Sequence, residues 1–236
     1  MPVKADPNGL QRTLQSIPHS SAIELIVIDA GGCDATLALV HQEEDRLAYS
    51  ESGLDSGIAN AMNRGIRRAT GTYVAILNAG DEWLPDTFDL VAEAADSFPE
   101  AGVLYGAICF RRSDQSTYAV QPNVGRMHQR MWMFHPGLFV KSATYASVGE
   151  YDESYKLAMD SEWCHRAIAA GTKMQLVDAV LACMELGGRS DTRFIAALAE
   201  FRRSVIYHKL SNPVIAWGWF CYVSVGKAVK VLLRRS

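Results

Sequence analysis

Cysteine is scarce in this sequence and never paired. Cys33, Cys109, Cys164, Cys183 and Cys221 are scattered, odd in number and without a CxxC spacing. Neither a zinc site nor a disulfide framework is indicated, and a reducing cytosol suits such a set. An excess of one charge is missing too. Lys and Arg number 23 against 26 Asp and Glu, a net charge of -3, and the two signs are mixed along most of the chain. No nucleic-acid surface is expected from that balance, which leaves small molecules as the expected partners. Phosphate-binding glycine motifs are absent: there is no GxGxxG and no GxxxxGK[ST]. The opening "MPVKADPNGLQRT" has no apolar core and no small-residue cleavage site, so it does not read as a secretory signal.

Long apolar runs are limited to one. Residues 213–235, "PVIAWGWFCYVSVGKAVKVLLRR", are nearly uncharged from Val214 to Val225 and then carry Lys227, Lys230, Arg234 and Arg235 at helical spacing. A spanning helix needs about 20 predominantly apolar residues, and Lys227 interrupts this one too early. Two readings stand side by side. In one, an amphipathic helix lies in the membrane interface with Trp217, Trp219 and Tyr222 at headgroup depth. In the other, a C-terminal helix packs on its own domain. The expected division is a domain over residues 1–211 and a C-terminal helix over 212–236.

What the sequence does contain is a strand-then-helix rhythm in a chain of 236 residues, 49% of them hydrophobic and 21% charged. Leu10, Leu14 and Ile17 fall at helical spacing, and "AIELIVIDA" is a β-branched run ending at Asp29. A helix is expected after "GGCDAT" and a short strand near Leu47 to Ser50. Ile58, Ala61, Met62, Ile66 and Ala69 form an apolar stripe opposite Arg64, Arg67 and Arg68, on a helix expected to close at Gly71. The strand "YVAIL" follows, then a helix from about Asp86 to Ser97, then a hairpin made of "AGVLYGAICF" and "STYAV". Such alternation predicts an α/β fold with a mostly parallel central sheet flanked by helices, and ligands at the carboxyl ends of its strands. Asp29 and Asp81 both lie at such ends, next to small residues that let backbone approach a ligand. They read either as turn and cap residues or as ligand-bearing acids, Asp81 holding a divalent cation on a substrate phosphate.

The stretch "DSGIANAMNRGIRRATGTYVAILNAGDEWLPD", residues 55–86, resembles the central signature of family 2 glycosyltransferases of the Rossmann-like GT-A fold. "IELIVIDAGGCDAT" is similar to the family's second strand and following turn, "VGEYDESYKLAMDSEWCHRAIAAG" to the segment bearing the catalytic base, and "LGGRSDT" to its late Gly-Gly-x-Ser loop. The resemblance runs from about Leu10 to Leu210. It implies that Asp29 and Asp55 hold the nucleotide, that Asp81 coordinates Mg²⁺ or Mn²⁺ on the diphosphate, and that Asp160 is the general base. His135, Arg189, Trp83 and Glu162 fall near the acceptor and diphosphate by the same resemblance, Glu162 as a reserve base. Each has a plainer reading: Asp160 as a helix-start acid, His135 as a partly buried core histidine, Arg189 as a solvated loop residue, Trp83 as lid or packing.

Three departures from the family pattern stand out. The first strand is missing or cut to a stub, with Met1 to Ala5 the only residues that could pair in its place. Asp81 has no run of neighbouring acids and shares the metal at most with Glu82. Ala30-Gly31-Gly32-Cys33 replaces the usual polar turn after Asp29. The expected function is a metal-dependent, inverting glycosyltransferase that moves a sugar from a UDP-, GDP- or dTDP-sugar to a hydroxyl of a saccharide or lipid-linked acceptor in polysaccharide biosynthesis. The expected place is the cytoplasm, peripheral on the inner face of the cell membrane. The rivals are a non-catalytic nucleotide-sugar-binding or scaffold relative disabled by the missing strand, and a nucleotidyltransferase, for which no basic Gly-rich loop is visible.

Overall fold

Two sheets share one helical coat in the computed structural model, which describes residues 1–187 and 192–233. The first sheet is parallel, with strand order β1-β2-β3, built from β1 (Pro2–Val3), β2 (Leu25–Asp29) and β3 (Leu47–Ser52). All five residues of β2 are buried, as the unbroken apolar run predicts for a strand covered on both faces. The first strand is indeed a stub, but it is paired: Pro2 lies opposite Ile28 and Val3 opposite Asp29. Pro2 O also accepts a hydrogen bond from Ala79 N at 3.2 Å, so β1 bridges the Asp29 end of the sheet to the loop that carries Asp81. The rival reading of a disabled relative rested on an empty place beside β2, and β1 fills it.

The second sheet is mixed. It runs β4 (Tyr73–Ala75), β8 (Leu138–Lys141), β6 (Val103–Arg111), β9 (Met174–Glu185) and β5 (Glu82–Trp83), with β7 (Thr117–Val120) beside β6. Its long central pair, β6 with β9, is parallel, and the pairings to β4, β5, β7 and β8 are antiparallel. The β6–β7 hairpin and the helices α1 (Pro7–Gln15), α2 (Asp34–Gln42), α3 (Ile58–Arg68) and α4 (Thr87–Ser97) stand where periodicity places them. The end of α3 is different. Gly71 does not close the helix; the chain leaves through Ala69 in an extended conformation, and the carboxylate of Glu24 accepts the amides of Thr70 and Gly71. The last carbonyls of α3 are met by Ala69 N, which donates to Gly65 O and Ile66 O, and Glu24 holds the two amides that follow.

Leu10, Leu14, Val27, Leu77, Leu104, Ile108, Phe139 and Leu181 form the main core between the sheets and α1. A second core gathers Met62, Ile76, Val140, Tyr145, Tyr151 and Trp163 around α5 (Ser142–Val148) and α6 (Met159–Ala169). Two glycines allow close packing on β6: Gly106 makes room for Leu181 of β9, and Gly137 lets the turn before β8 lie directly on β6. A Cβ on Gly106 would stand 2.5 Å from Leu181 Cγ, and one on Gly137 2.9 Å from Gly106 O.

The C-terminal helices α7 (Phe194–Tyr207) and α8 (Pro213–Leu233) pack on α6 and on each other through Ala158, Phe201, Val205 and Ala216. His165 on α6 is fully buried there, with Nδ1 2.8 Å from Ser204 Oγ and Nε2 3.1 Å from Met127 O. A carbonyl can only accept, so Nε2 carries the proton and Nδ1 takes the Ser204 hydroxyl. Burial lowers the imidazole pKa from 6.5 to about 4. Between those values the unfolded chain binds a proton that the folded one refuses, so this histidine's share of stability is intact above pH 6.5 and is lost as the pH falls toward 4. The loss is about 3 kcal/mol at 1.36 kcal/mol per unit. Urea unfolding at pH 7.5 and 4.5 is expected to show that much less pH dependence in His165→Gln than in the parent; equal slopes would remove His165 as the cause.

Candidate active site

Asp81 sits in a loop braced from three sides. Thr13, buried on α1, donates its hydroxyl to Asp81 O at 2.7 Å and accepts from Gly80 N at 2.9 Å. Asp81 N returns to Asn78 O at 3.0 Å, and Gly80 adopts φ +100°, a conformation that glycine reaches without strain. The side chain is thereby held nearly buried on the inner side of the turn, 10% exposed. Glu82 does not assist it. As the first residue of β5 it turns to Arg111, which holds both its carboxylate oxygens at 2.6 and 3.2 Å, so the expected second acid is already neutralised.

Opposite Asp81 stands Asp160, the second residue of α6. Its Oδ1 accepts from Ser161 N at 2.8 Å, which leaves Oδ2 facing the cleft. Between the two acids lies His135, with Nε2 3.6 Å from Asp81 Oδ2 and Nδ1 3.7 Å from Asp160 Oδ2. These separations are those of charge partners, longer than a direct hydrogen bond. Burial alone lowers the proton affinity of this ring, but the carboxylates of Asp160 and Asp81 outweigh it and raise its pKa from 6.5 to about 9. The Asn78 side-chain nitrogen Nδ2 lies 2.8 Å from Nε2, and Asn78 Oδ1 has no hydrogen-bond partner among the described residues; a ring protonated at both nitrogens meets this amide only with the amide turned so that its oxygen faces Nε2. His135 is therefore not an isolated core histidine: its buried ring lies between the two carboxylates, which favour its protonated form.

Trp83 is a packing residue and not a lid. It is 8% exposed, packs on Phe88 and Phe139, and donates its indole N–H to Pro136 O at 2.8 Å, which pins the His135–Gly137 turn. Glu162 is not a free reserve base. Buried to 3% exposure, its carboxylate accepts from Arg166 Nε and Nη2 at 3.0 and 2.9 Å and lies 3.0 Å from His208 Nε2. Those partners face away from Asp160's side of the helix and hold α6 to α7. Arg189, Arg234 and Arg235 lie outside the described residues, as do the side chains of Lys227 and Lys230.

Asp29 ends β2, 1% exposed. Its Oδ2 accepts from Ser52 Oγ at 2.7 Å, while Oδ1 is buried with no partner among the described residues. Asp55, beyond the end of β3, accepts the amide of Gly57 at 3.1 Å. Both belong to the carboxyl end of the parallel sheet. They are joined to the Asp81 loop through β1 and not by any direct contact with Asp81, His135 or Asp160 that the structure displays.

The family model described as glycosyl transferase family 2 matches residues 1–147. The Mycobacterium tuberculosis glycosyltransferase Rv1514c is 29% identical over 171 residues, 69% of this chain and 64% of that protein, so the match spans less than two thirds of the relative's length. A PGL/p-HBAD biosynthesis glycosyltransferase of Mycobacterium bovis is 27% identical over 192 residues, 78% of this chain and 74% of the relative. Among solved structures, the mannosyltransferase PcManGT of Pyrobaculum calidifontis, in complex with GDP-Man and Mn²⁺, superposes with a TM-score of 0.68 at 18% identity, covering 93% of this chain and 68% of that one. TarS residues 1–349 of S. aureus, in complex with UDP-GlcNAc, gives 0.67 at 14% identity over the same shares. Likeness at that identity extends to the GT-A fold.

Proposed function

The chain belongs to glycosyl transferase family 2, and from that premise we propose that it moves a sugar from a nucleoside-diphosphate donor to a hydroxyl of a lipid-linked saccharide by a single inverting displacement. The observation that carries this reading is the pair Asp81 and Asp160, held on either side of the His135 imidazolium at 3.6 and 3.7 Å. One acid serves the leaving group and the other the incoming hydroxyl, which is what a direct displacement requires of two opposed carboxylates.

The donor half of the site is Asp29, Asp55 and Asp81. An orphaned, buried carboxylate oxygen is costly to leave unpaired, and Asp29 Oδ1 is such an atom. A ribose hydroxyl or a base N–H supplies the missing donor. UDP, GDP and dTDP all carry these groups. Among the described residues no group of three or more His, Cys, Asp or Glu side chains is placed to hold a metal, so Mg²⁺ or Mn²⁺ would rest on a single acid, which suits an ion that uses one or two carboxylates and completes its shell with water and the substrate's own phosphate oxygens. Asp81 would hold it, without Glu82. Bound there, the ion supplies Lewis-acid stabilisation to the departing nucleoside diphosphate. Asp160 takes the proton of the acceptor hydroxyl as the new bond forms at the anomeric carbon. His135 keeps both carboxylates in place and offsets their mutual repulsion.

The acceptor class rests on the C-terminal helix. Among the described residues no helix is long and apolar enough to cross a membrane. Yet α8 leaves Val214, Ile215, Trp217, Trp219, Tyr222 and Val225 exposed, and grouped exposed apolar side chains of this kind mark interaction surfaces. Ala216 packs on α7, and Arg202 stacks its guanidinium on Trp217 at 3.5 Å, so the helix is docked by one face and bare on another. A lipid surface covers that bare face: Trp and Tyr suit the headgroup layer, and the basic residues that follow Val225 suit anionic lipid. On this reading residues 1–211 are the catalytic unit and 212–236 its peripheral anchor on the cytoplasmic face of the membrane.

Two measurements test the proposal. Release of nucleoside diphosphate is followed for UDP-glucose, UDP-GlcNAc, dTDP-rhamnose and GDP-mannose with Mn²⁺, using a lipid extract as acceptor; no turnover of any donor would remove the transferase reading for this chain. Vesicles with about a third phosphatidylglycerol are expected to sediment the protein, and replacing the exposed Ile215 and Tyr222 by Ser weakens partitioning about tenfold or more, given about 1.5–3 kcal/mol for burial of one large apolar side chain. Equal sedimentation of parent and variant sinks the anchor.

A further inference from the structure

The catalytic unit and the C-terminal helices meet at one carboxylate. Glu200, in the middle of α7, reaches the segment that precedes α6. Its Oε2 accepts from Leu157 N at 2.8 Å, Ala158 N at 2.9 Å and Lys156 N at 3.0 Å, and its Oε1 lies 3.1 Å from Lys156 N. Three consecutive amides thus converge on one side chain 42 to 44 residues away. Asp160 stands two residues beyond the last of them.

Ala158, the residue before α6, has no side chain able to cap, and no side-chain hydrogen bond is made to the helix start from that position. Its N–H is the first of the orphan amides at this helix start, and Glu200 accepts it together with the two amides before it, while Asp160 Oδ1 takes Ser161 N inside the first turn. Glu200 also places a negative charge at the positive end of the α6 dipole, the orientation that stabilises a helix start. The neighbouring contacts point the same way: on the next turn of α7, Arg203 stacks on Tyr155 at 3.8 Å and reaches Ser154 Oγ at 3.3 Å. From Glu162 onward α6 is held independently by the contacts of Glu162 with Arg166 and His208, so removing Glu200 loosens the chain entering Asp160 without releasing the helix.

We propose that Glu200 is a positioning residue for catalysis, fixing Asp160 by gathering the amides of residues 156–158. The inference rests on the reading of Asp160 as the base. It adds a role for α7: that helix touches no donor atom and acts on the reaction through the orientation of the acid on α6. Glu200 also lines a groove of about 580 Å³ between α7 and α8, beside Arg202, Ile206, Tyr207 and Trp217. The helix that steadies the base is therefore the one on which the proposed membrane helix packs.

A double-mutant cycle decides it, read as nucleoside diphosphate release from whichever sugar donor of the panel above the parent turns over fastest, with Mn²⁺ and a lipid-extract acceptor. Glu200→Ala is expected to lower kcat about 10²-fold, the cost of misplacing a reacting group by about 1 Å, with the donor KM changed by less than about threefold. Glu200→Gln, which keeps one carbonyl oxygen for two of the amides, restores much of kcat. Because Glu200 acts through Asp160, the double variant Asp160→Asn/Glu200→Ala turns over no more slowly than Asp160→Asn alone. All rates are taken below the melting temperature of each variant. A kcat for Glu200→Ala within about twofold of the parent, or losses that multiply in the double variant, overturns the proposal. Full activity in Asp160→Asn is a different result: it overturns the assignment of the base on which the proposal depends.

Discussion

Asp81→Ala is expected to reduce sugar transfer about 10³-fold while the protein still folds. The size follows from what the carboxylate is asked to do: anchoring an ion that lowers the barrier to diphosphate departure by several kcal/mol, at about 1.4 kcal/mol per decade of rate. Folding survives because the loop is braced by main-chain groups and by Thr13, none of which uses the Asp81 side chain. Asp81→Asn separates charge from shape, since its amide keeps the volume but binds a hard cation poorly; it is expected to fall nearly as far as Ala. Chelation of divalent ions in the parent should reproduce the loss, and Mn²⁺ should restore the parent but neither variant. A parent indifferent to chelator, or an Asp81→Ala variant with parental kcat, removes the metal role from this residue. Glu82→Gln supplies the contrast. Its acid already belongs to Arg111 at 2.6 Å, so that change is expected to alter stability more than metal dependence.

Much of this architecture is written locally. The buried run of β2, the amphipathic stripe of α3 and the β6–β7 hairpin each follow from spacing that a single chain segment carries within itself. What local spacing does not carry is partnership. The tyrosine-led strand β4 pairs antiparallel with β8, 66 residues on, and the two-residue strand β5 exists only because β9 offers it an edge. The end of α3 shows the same limit. Gly71 has the right identity and place for a cap, but the chain leaves α3 extended at Ala69 and Glu24 reaches over from before β2 to hold the amides of Thr70 and Gly71.

The site divides along the same line. Asp81 and Asp160 were legible because each lies in a motif whose residue order survives in the chain. Their relation through His135 was not, since it depends on a turn that Trp83 pins and that Gly137 allows to lie flat on β6. Glu82 and Glu162 illustrate the cost of reading acids by position alone. Both stand next to a residue of the site, and both are already paired to an arginine, one 29 residues distant and one on the next turn of the same helix. Thr13 and Glu200 carried no signal in the sequence, because a hydroxyl or a carboxylate on a helix is ordinary until its tertiary partner is known.

Asp160→Asn is expected to lower kcat by about 10²–10⁴-fold, the range for losing a positioned general base, with donor binding intact. The separation of effects comes from placement. Asp160 faces His135 on the side away from the Asp81 loop, and neither Asp29 nor Asp55 contacts it, so a neutral isostere leaves the donor half of the site untouched. Asn keeps an oxygen for Ser161 N, which holds the first turn of α6, and loses only the ability to accept a proton. Isothermal titration with UDP or GDP and Mn²⁺ should therefore give parent and variant the same affinity within about threefold, while transfer to the lipid acceptor collapses. Hydrolysis of the donor by water offers a second readout, since water also must lose a proton to something. If Asp160 is the base, hydrolysis and transfer fall together in the variant; if instead it only orients the acceptor, transfer falls and hydrolysis persists. A variant that binds nucleotide poorly points to a structural acid at the helix start, and in that case Glu200, which steadies the same turn, loses its catalytic role along with it.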